Sequence, residues 1–296
     1  MSGPPFAPAC LISGEPARGA WDFGAGIVPL NHGSYGAVPR AVTELQGRMQ
    51  ARADRSAIGW FPHTPAWVAQ ARAGLAGFVG AAADEAVVAA FTRAIGPRTK
   101  LVVVDQITSP TARILPTARI ADVAHAAGAR VLVDGAHAPG LIGDAARVAG
   151  GDWWFGNLHK WPSAPRGSAL LVTSAADRDE LWPLIDSWHA RLSYPERFDM
   201  QGTLDVTPYL ASPMAIGWLE ENYGWARARA TMTANADAAA DAVAEAVAPY
   251  LDGVGFVRLS VHLYTTAADI DAFNDRAVPL LVEWSREPGA GRPAPS

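Results

Sequence analysis

Between residues 100 and 136 the hydrophobic period of the chain changes twice, and this limits the fold more than any other feature. The run "LVVVDQ" (101–106) is continuously apolar up to its aspartate, as a strand covered on both faces would be. "PTARIADVAHAAGA" (116–129) then spaces its apolar residues as a helix does, with Gly128 near its end, and "RVLVDGA" (130–136) is a second strand run. Strand, helix and strand in that order form a βαβ unit, whose strands lie parallel and whose crossover is right-handed. Thr108, Ser109, Asp134 and His137 therefore fall at or just past the carboxyl edge of a parallel sheet, where open α/β sheets bind ligands.

The rest of the chain fits around that unit. "LNHGSYGAVPRAV" (30–42) is a turn-rich loop broken by Gly33, Ser34 and Gly36, and it leads into helical spacing over 39–54. Further helices are expected over 64–80 and 85–96. "GDWWFGNLHK" (151–160) and "GSALLVTSA" (167–175) are expected to be short strands joined by a loop that carries Lys160. Two long helices are expected over 213–247, an alternating strand over 255–265 and a closing helix from 267, before a Gly/Pro tail of disordered composition. The domain expectation is an N-terminal arm over 1–30, a large domain over 31–212 and a small C-terminal domain over 213–296.

With 296 residues, half of them hydrophobic and 18% charged, the chain has material for a sizeable core. A net charge of −5 with no Lys/Arg cluster supplies no surface for nucleic acid. The absence of bilayer-length apolar runs and of a leader pattern gives the expectation of a cytoplasmic protein with no membrane partner. The single cysteine, Cys10, rules out an intramolecular disulfide framework and a Cys-rich zinc site.

Chemistry concentrates on three residues. Asp134 ends a strand, where a carboxylate can simply cap a turn. His137 follows three residues later, and Lys160 comes after the next strand, flanked by Trp154, Phe155 and Trp161. An acid, an imidazole and a lysine converging on one sheet edge suit pyridoxal 5′-phosphate. Lys160 would attach the aldehyde, its amine made more nucleophilic than an ordinary lysine of pKa about 10.4 by the apolar setting. Asp134 would keep the pyridine nitrogen protonated, His137 would lie against the ring or its phenolic oxygen, and His159 would sit beside the phosphate. Asp134, His137 and His159 could also ligate a metal, but no HExxH or close His pair supports that reading, and no metal is expected. A serine hydrolase lacks its G-x-S-x-G elbow here. His125, on an amphipathic helix, is expected to be structural.

"LNHGSYGAVP", "DQITSPTARILP", "VLVDGAHAPG", "GDWWFGNLHKWPSAPRGSALL", "QGTLDVTPYLA" and "VRLSVHLYT" occur in this order along the chain. Together they resemble the class V, fold-type I aminotransferase family, most closely the branch of isopenicillin N epimerases and ergothioneine-pathway C–S lyases. The resemblance implies a mostly parallel α/β sheet flanked by helices, with a reduced small α+β C-terminal domain. It further implies Lys160 as the Schiff-base lysine, Asp134 as the pyridine-nitrogen partner, and His137 and Ser109 near the phenolic oxygen. Asn157 and His159 become phosphate ligands, with Thr203 a phosphate ligand donated across a homodimer. Arg258 matches the arginine that grips the substrate carboxylate, and Asn31 and His32 match the loop that covers the substrate.

The chain departs from that family pattern in two places. After "GLAGFVGAAADE" it runs almost at once into "AVVAAFTRAIGPRTKLVVVD", without the turn and helix N-terminus that hold the phosphate and the units that supply a ring-stacking side chain. Between "AVAPYLDGVG" and "FVRLS" most of the small-domain sheet is also missing. Lost strands are expected to leave sheet edges and apolar faces exposed. Lysine and aspartate serve epimerisation, C–S cleavage and transamination alike, so the motifs do not choose among them. A non-catalytic relative that keeps the scaffold for partner binding is the alternative.

Overall fold

The structure, a computed structural model, describes residues 9–33, 36–60, 63, 64, 67, 71, 85–173, 178–247 and 258–285. Its centre is a four-stranded sheet: β1 (Leu101–Asp105), β2 (Arg130–Asp134), β3 (Trp153–Asn157) and β4 (Ala169–Thr173), adjacent in that order. The first three strands are parallel and β4 is antiparallel to β3. The helices used below are α1 (Arg40–Arg55), α2 (Glu85–Ala94), α3 (Thr117–Ala126), α4 (Thr207–Asn222), α5 (Trp225–Val247) and α6 (Ala267–Ser285).

The register explains the core. Val102 pairs with Val131, and Val104 with Val133, which pairs in turn with Trp154, so these five side chains share one face. All five are buried, packed with Val88 of α2 and Ile120, Ala121 and Ala124 of α3. Trp154 is the largest side chain in this layer; its Nε1 donates to Gln106 Oε1 at 2.8 Å, and Gln106 Nε2 donates to the Ala145 carbonyl at 2.9 Å. A buried indole N–H and a buried amide are thus both satisfied. Gly135 and Gly156 lie against this ring, and a Cβ at either would collide with it. That contact accounts for the glycines that follow β2 and interrupt β3.

Trp153, one residue earlier, points to the opposite face, where the Arg130 guanidinium lies 4.8 Å from its ring centroid. This face is thinly covered on β1: Leu101 and Val103 are 50% and 58% exposed. Parallel sheets normally bury both faces.

A second cluster joins Val42 of α1 and Ala211 and Ala215 of α4 to Leu158 and Ala164. It pins the start and the middle of the β3–β4 connection that carries Lys160.

By its contacts the chain divides into two compact units, Tyr35–Glu220, which holds the sheet, and Met1–Ser34 with Glu221–Ser296. In the second unit α5 and α6 pack around Ala239, Val243, Val261, Ile270 and Val278. The alternating strand expected over 255–265 does not form within residues 258–265. There only Ser260 makes a bridge, to Asn31, with Ser260 N–H donating to the Leu30 carbonyl at 2.8 Å. Residues 261–265 are all buried, His262 and Tyr264 included, so the polar–apolar alternation does not separate a wet face from a dry one. The helices at 39–54, 85–96 and 267 onward form as expected, and the long helical stretch after 213 begins earlier, at Thr207. Most of the helix expected over 64–80, both places where the family pattern is interrupted and the Gly/Pro tail lie wholly or largely outside the described residues. Among the described residues no helix is long and apolar enough to cross a membrane.

Candidate active site

β3 ends at Asn157, and the chain then turns back on itself in a few residues. Leu158 N–H donates to the Ser168 carbonyl at 3.0 Å, Ala164 N–H to the Leu158 carbonyl at 3.0 Å, and Ser163 N–H to the Lys160 carbonyl at 2.9 Å. The last of these closes a turn with Ser163 at φ 57°, a left-handed conformation uncommon for a residue with a Cβ. Gly140, at φ 87°, lets the loop after β2 lie against this turn, where a Cβ would stand 3.0 Å from Trp161 Cβ. The turn is thus fixed locally and braced by its neighbour.

Inside it, Lys160 is 9% exposed, and its Nζ lies 2.9 Å from Nε2 of His137, itself 8% exposed. His137 is presented by the turn after β2, where Ala138 N–H donates to the Gly135 carbonyl at 2.8 Å and Ala136 N–H donates to Asp134 Oδ1 at 2.9 Å. Asp134 ends β2 in register with Asp105 on one side and Phe155 on the other. Asn157, two residues beyond Phe155 on β3, shares the face of Asp134. The sheet edge therefore assembles an amine, an imidazole, a carboxylate and an amide.

Two groups here are electrostatically perturbed. Asp105 is raised above the usual carboxylate range, first by burial and then by the Asp134 charge beside it. His159 is lowered, mainly by burial and also by the charges of Lys160 and Arg166, against an opposing pull from the Ser168 backbone. The His159 ring is accordingly neutral at physiological pH, and its buried Nδ1 makes no well-formed hydrogen bond.

The other expected site residues fall in three places. Ser109 is exposed in the loop after β1, a loop closed by Arg113 N–H donating to Thr108 Oγ1 at 2.9 Å. Thr203 is exposed beside Leu204. In the second unit Arg258 Nη2 donates to Asn31 Oδ1 at 3.1 Å, although the two lie 227 positions apart in the chain. His32 is 1% exposed, with its ring stacked on His262. His125, as expected, is structural: Nε2 meets Asp152 Oδ2 at 3.0 Å, and Asp152 Oδ2 also accepts from Val131 N–H.

Sequence reasoning passed over Ser163 and His262. The first gives no local signal, because left-handed turn positions are usually marked by Gly or Asn. His262 stood in a quoted motif, but its partner is distant in sequence.

Among the described residues no group of three or more His, Cys, Asp and Glu side chains could hold a metal ion. A cavity of about 560 Å³ is lined by Trp60, Phe155, Tyr194, Phe198 and Tyr209, among others, but by none of Lys160, Asp134, His137, Asn157 or His159.

A family model for aminotransferase class-V matches residues 82–248, more than half of the chain. The isopenicillin N epimerase of Streptomyces clavuligerus is 35% identical over 152 residues, which is 46% of this chain and 38% of that protein. A putative L-cysteine desulfhydrase of Oryza sativa subsp. japonica is 29% identical over 214 residues, 69% of this chain and 42% of that protein. The chain thus spans about two-fifths of the length of these relatives. Among solved structures, a cystine C-S lyase in complex with its product cysteine persulfide superposes with a TM-score of 0.71 at 15% identity, covering 86% of this chain and 98% of that one. The cysteine desulfurase CsdA of Escherichia coli superposes with a TM-score of 0.62 at 17% identity, covering 89% and 98%. The fold is that of fold-type I pyridoxal phosphate enzymes, and the chain belongs to the class-V aminotransferase family.

Members of this family depend on pyridoxal 5′-phosphate, and the residues present fit its reactive end: a buried amine against an imidazole, and a strand-end carboxylate. For the phosphate end the described residues offer Asn157, His159 and the exposed Thr203.

Proposed function

We propose that this protein is a pyridoxal 5′-phosphate enzyme acting at the α-carbon of an amino acid, by epimerisation, C–S cleavage or transamination. The observation that carries the reading is the buried contact of Lys160 Nζ with His137 Nε2, 2.9 Å long, at the carboxyl edge of the sheet beside Asp134. When bound, the cofactor supplies an aldehyde for covalent attachment and a pyridine ring that draws electrons from the substrate's α-carbon.

Lys160 Nζ would hold the cofactor's aldehyde carbon and would serve as the base for the substrate's α-proton. His137 Nε2 accepts a hydrogen from the lysine ammonium, or donates one to the neutral amine, and so holds Nζ in place in either state. Asp134 would hold the ring nitrogen and stabilise its proton. Asn157 and His159 would hold the phosphate, the latter as a neutral hydrogen-bond donor rather than as a charge. Ser109 would approach the phenolic oxygen. Arg258, whose Nη2 donates to Asn31, would take the carboxylate-binding role that the family resemblance implies for it, a role its planar fork suits. Thr203 would reach the phosphate of a second copy in a homodimer, a reading supported by its own exposure and that of Leu204 beside it.

The test is titration of the purified chain with pyridoxal 5′-phosphate, followed by visible absorbance and by mass after borohydride reduction. A cofactor-sized adduct on Lys160, lost in Lys160→Ala, is expected. No adduct at saturating cofactor would leave the scaffold reading. Incubation of the loaded protein with cysteine, cystine and other amino acids then separates sulfur release, keto acid and inverted α-carbon.

A further inference from the structure

Outside the sheet, the most unusual cluster of titratable groups is a ring stack in the unit formed by the two ends of the chain. His32 and His262 lie face to face, centroids 3.9 Å apart and planes at 16°, each 1% exposed. Trp21 meets His262 edge-on at 5.6 Å, and Tyr264 lies 5.0 Å from His262 with its hydroxyl hydrogen-bonded to His32 Nδ1. Charged groups beside the cluster include Arg18, whose Nη1 donates to the Tyr264 carbonyl at 3.1 Å and pairs with Asp269 at 2.5 Å, and Arg258 four positions before His262. Asp269 is committed to Arg18 and to Thr266, whose N–H and Oγ1 both donate to it.

We propose that His262 is a positioning residue for the Asn31–Arg258 pair, and that its stack on His32 holds the pair together only while both imidazoles are neutral. The proposal rests on the carboxylate-gripping role given to Arg258 above, whose regulation it describes. The connection is short on both sides: His32 follows Asn31 directly, and Ser260, which bridges Asn31, stands midway between Arg258 and His262. Two charged imidazoles cannot share a stack of this closeness, and burial opposes charging even one. Both rings are therefore held neutral in the closed arrangement, whereas in an opened one each titrates near its ordinary value of about 6.5. The sign follows from the neutrality that the closed stack requires. Closure is undiminished above about pH 6.5 and is lost as pH falls below it, with up to two protons taken up on opening.

The test uses the full chain without cofactor, so its outcome is independent of whether the chain is an enzyme. Ser260 N–H, which donates to the Leu30 carbonyl, reports closure through its hydrogen-exchange protection, corrected for intrinsic exchange. Below about pH 6.5 protection should fall by up to about 100-fold per pH unit, the two-proton limit. His262→Phe keeps a ring in the stack but removes one titration, so protection should persist and its fall should drop to at most about 10-fold per pH unit. His262→Ala should lower protection at every pH. Histidine ring resonances followed by NMR give a second reading on wild-type protein: neither His32 nor His262 should titrate while Ser260 stays protected. Equal slopes in wild type and His262→Phe, or either ring titrating near pH 6.5 with Ser260 still protected, would overturn the proposal.

Discussion

Lys160 and Arg258 are both cations with an assigned partner, and they are held in opposite ways. Lys160 sits in a contiguous turn: every backbone bond that fixes it lies between Leu158 and Ser168, and its partner His137 comes from the adjoining strand end, 23 positions away. Arg258 is held by Asn31 from the far end of the chain, through one side-chain bond and one backbone bridge. Short-range order loses little conformational entropy beyond what the strands already fix, whereas joining distant segments must offset a large loop closure. The first arrangement should therefore resist perturbation, and the second should yield first.

The sharpest way to break the Lys160 side of this contrast is Lys160→Ala. Turnover should fall by at least about 10³-fold, within the range lost with a positioned general base, while thermal unfolding of the chain is nearly unchanged. A comparable loss from His137→Ala with Lys160 intact would show instead that the pair acts as a unit.

Trp154→Ala attacks the layer beneath the turn rather than the turn itself. A buried Trp replaced by Ala costs about 3–5 kcal/mol, and the Gln106 amide loses a partner as well. Urea unfolding should show that loss. A shift under about 1 kcal/mol would mean that the sheet core is looser than its burial indicates.

On the Arg258 side, Arg258→Ala removes a charged hydrogen-bond donor worth about 1.5–3 kcal/mol, which raises KM for an amino acid substrate about 10- to 150-fold. Cofactor attachment at Lys160 should be untouched. Steady-state kinetics beside the absorbance titration separates the two.

The smallest effect is expected at Asp105→Asn. Asp105 is raised by burial and by Asp134, so the native chain bears a penalty that grows as pH rises through its folded value. The variant should be slightly more stable than wild type at pH 7, by under about 1 kcal/mol because solvent screens the pair, and equal to it well below the usual carboxylate range. Urea midpoints at the two pH values give the comparison.

What could be read without coordinates follows the same division. The βαβ unit was legible because Val102, Val104, Val131 and Val133 write their burial as a continuous apolar run, and a helix between two such runs has one favoured handedness. From it the carboxyl edge followed, and with it Asp134 and His137. Lys160 was legible as a lysine in apolar company. The stretch at 258–265 misled because its alternation resembles a strand, while both parities are buried around His262 and Tyr264. The burial of His32 was not legible, because the ring that covers it lies 230 positions later.

The sequence by itself determined the strand order's local part, the amine, acid and imidazole at one sheet edge, and the family to which they belong, since all of these are set by residues close in the chain. Tertiary structure alone decided that Trp154 fills the space left by Gly135 and Gly156, that Asn31 meets Arg258, and that His32 is stacked away from solvent. The contacts of Trp154 with Gly135, of Asn31 with Arg258 and of His32 with His262 join residues well separated in sequence, and no local pattern encodes them because their energy appears only when the chain has closed on itself.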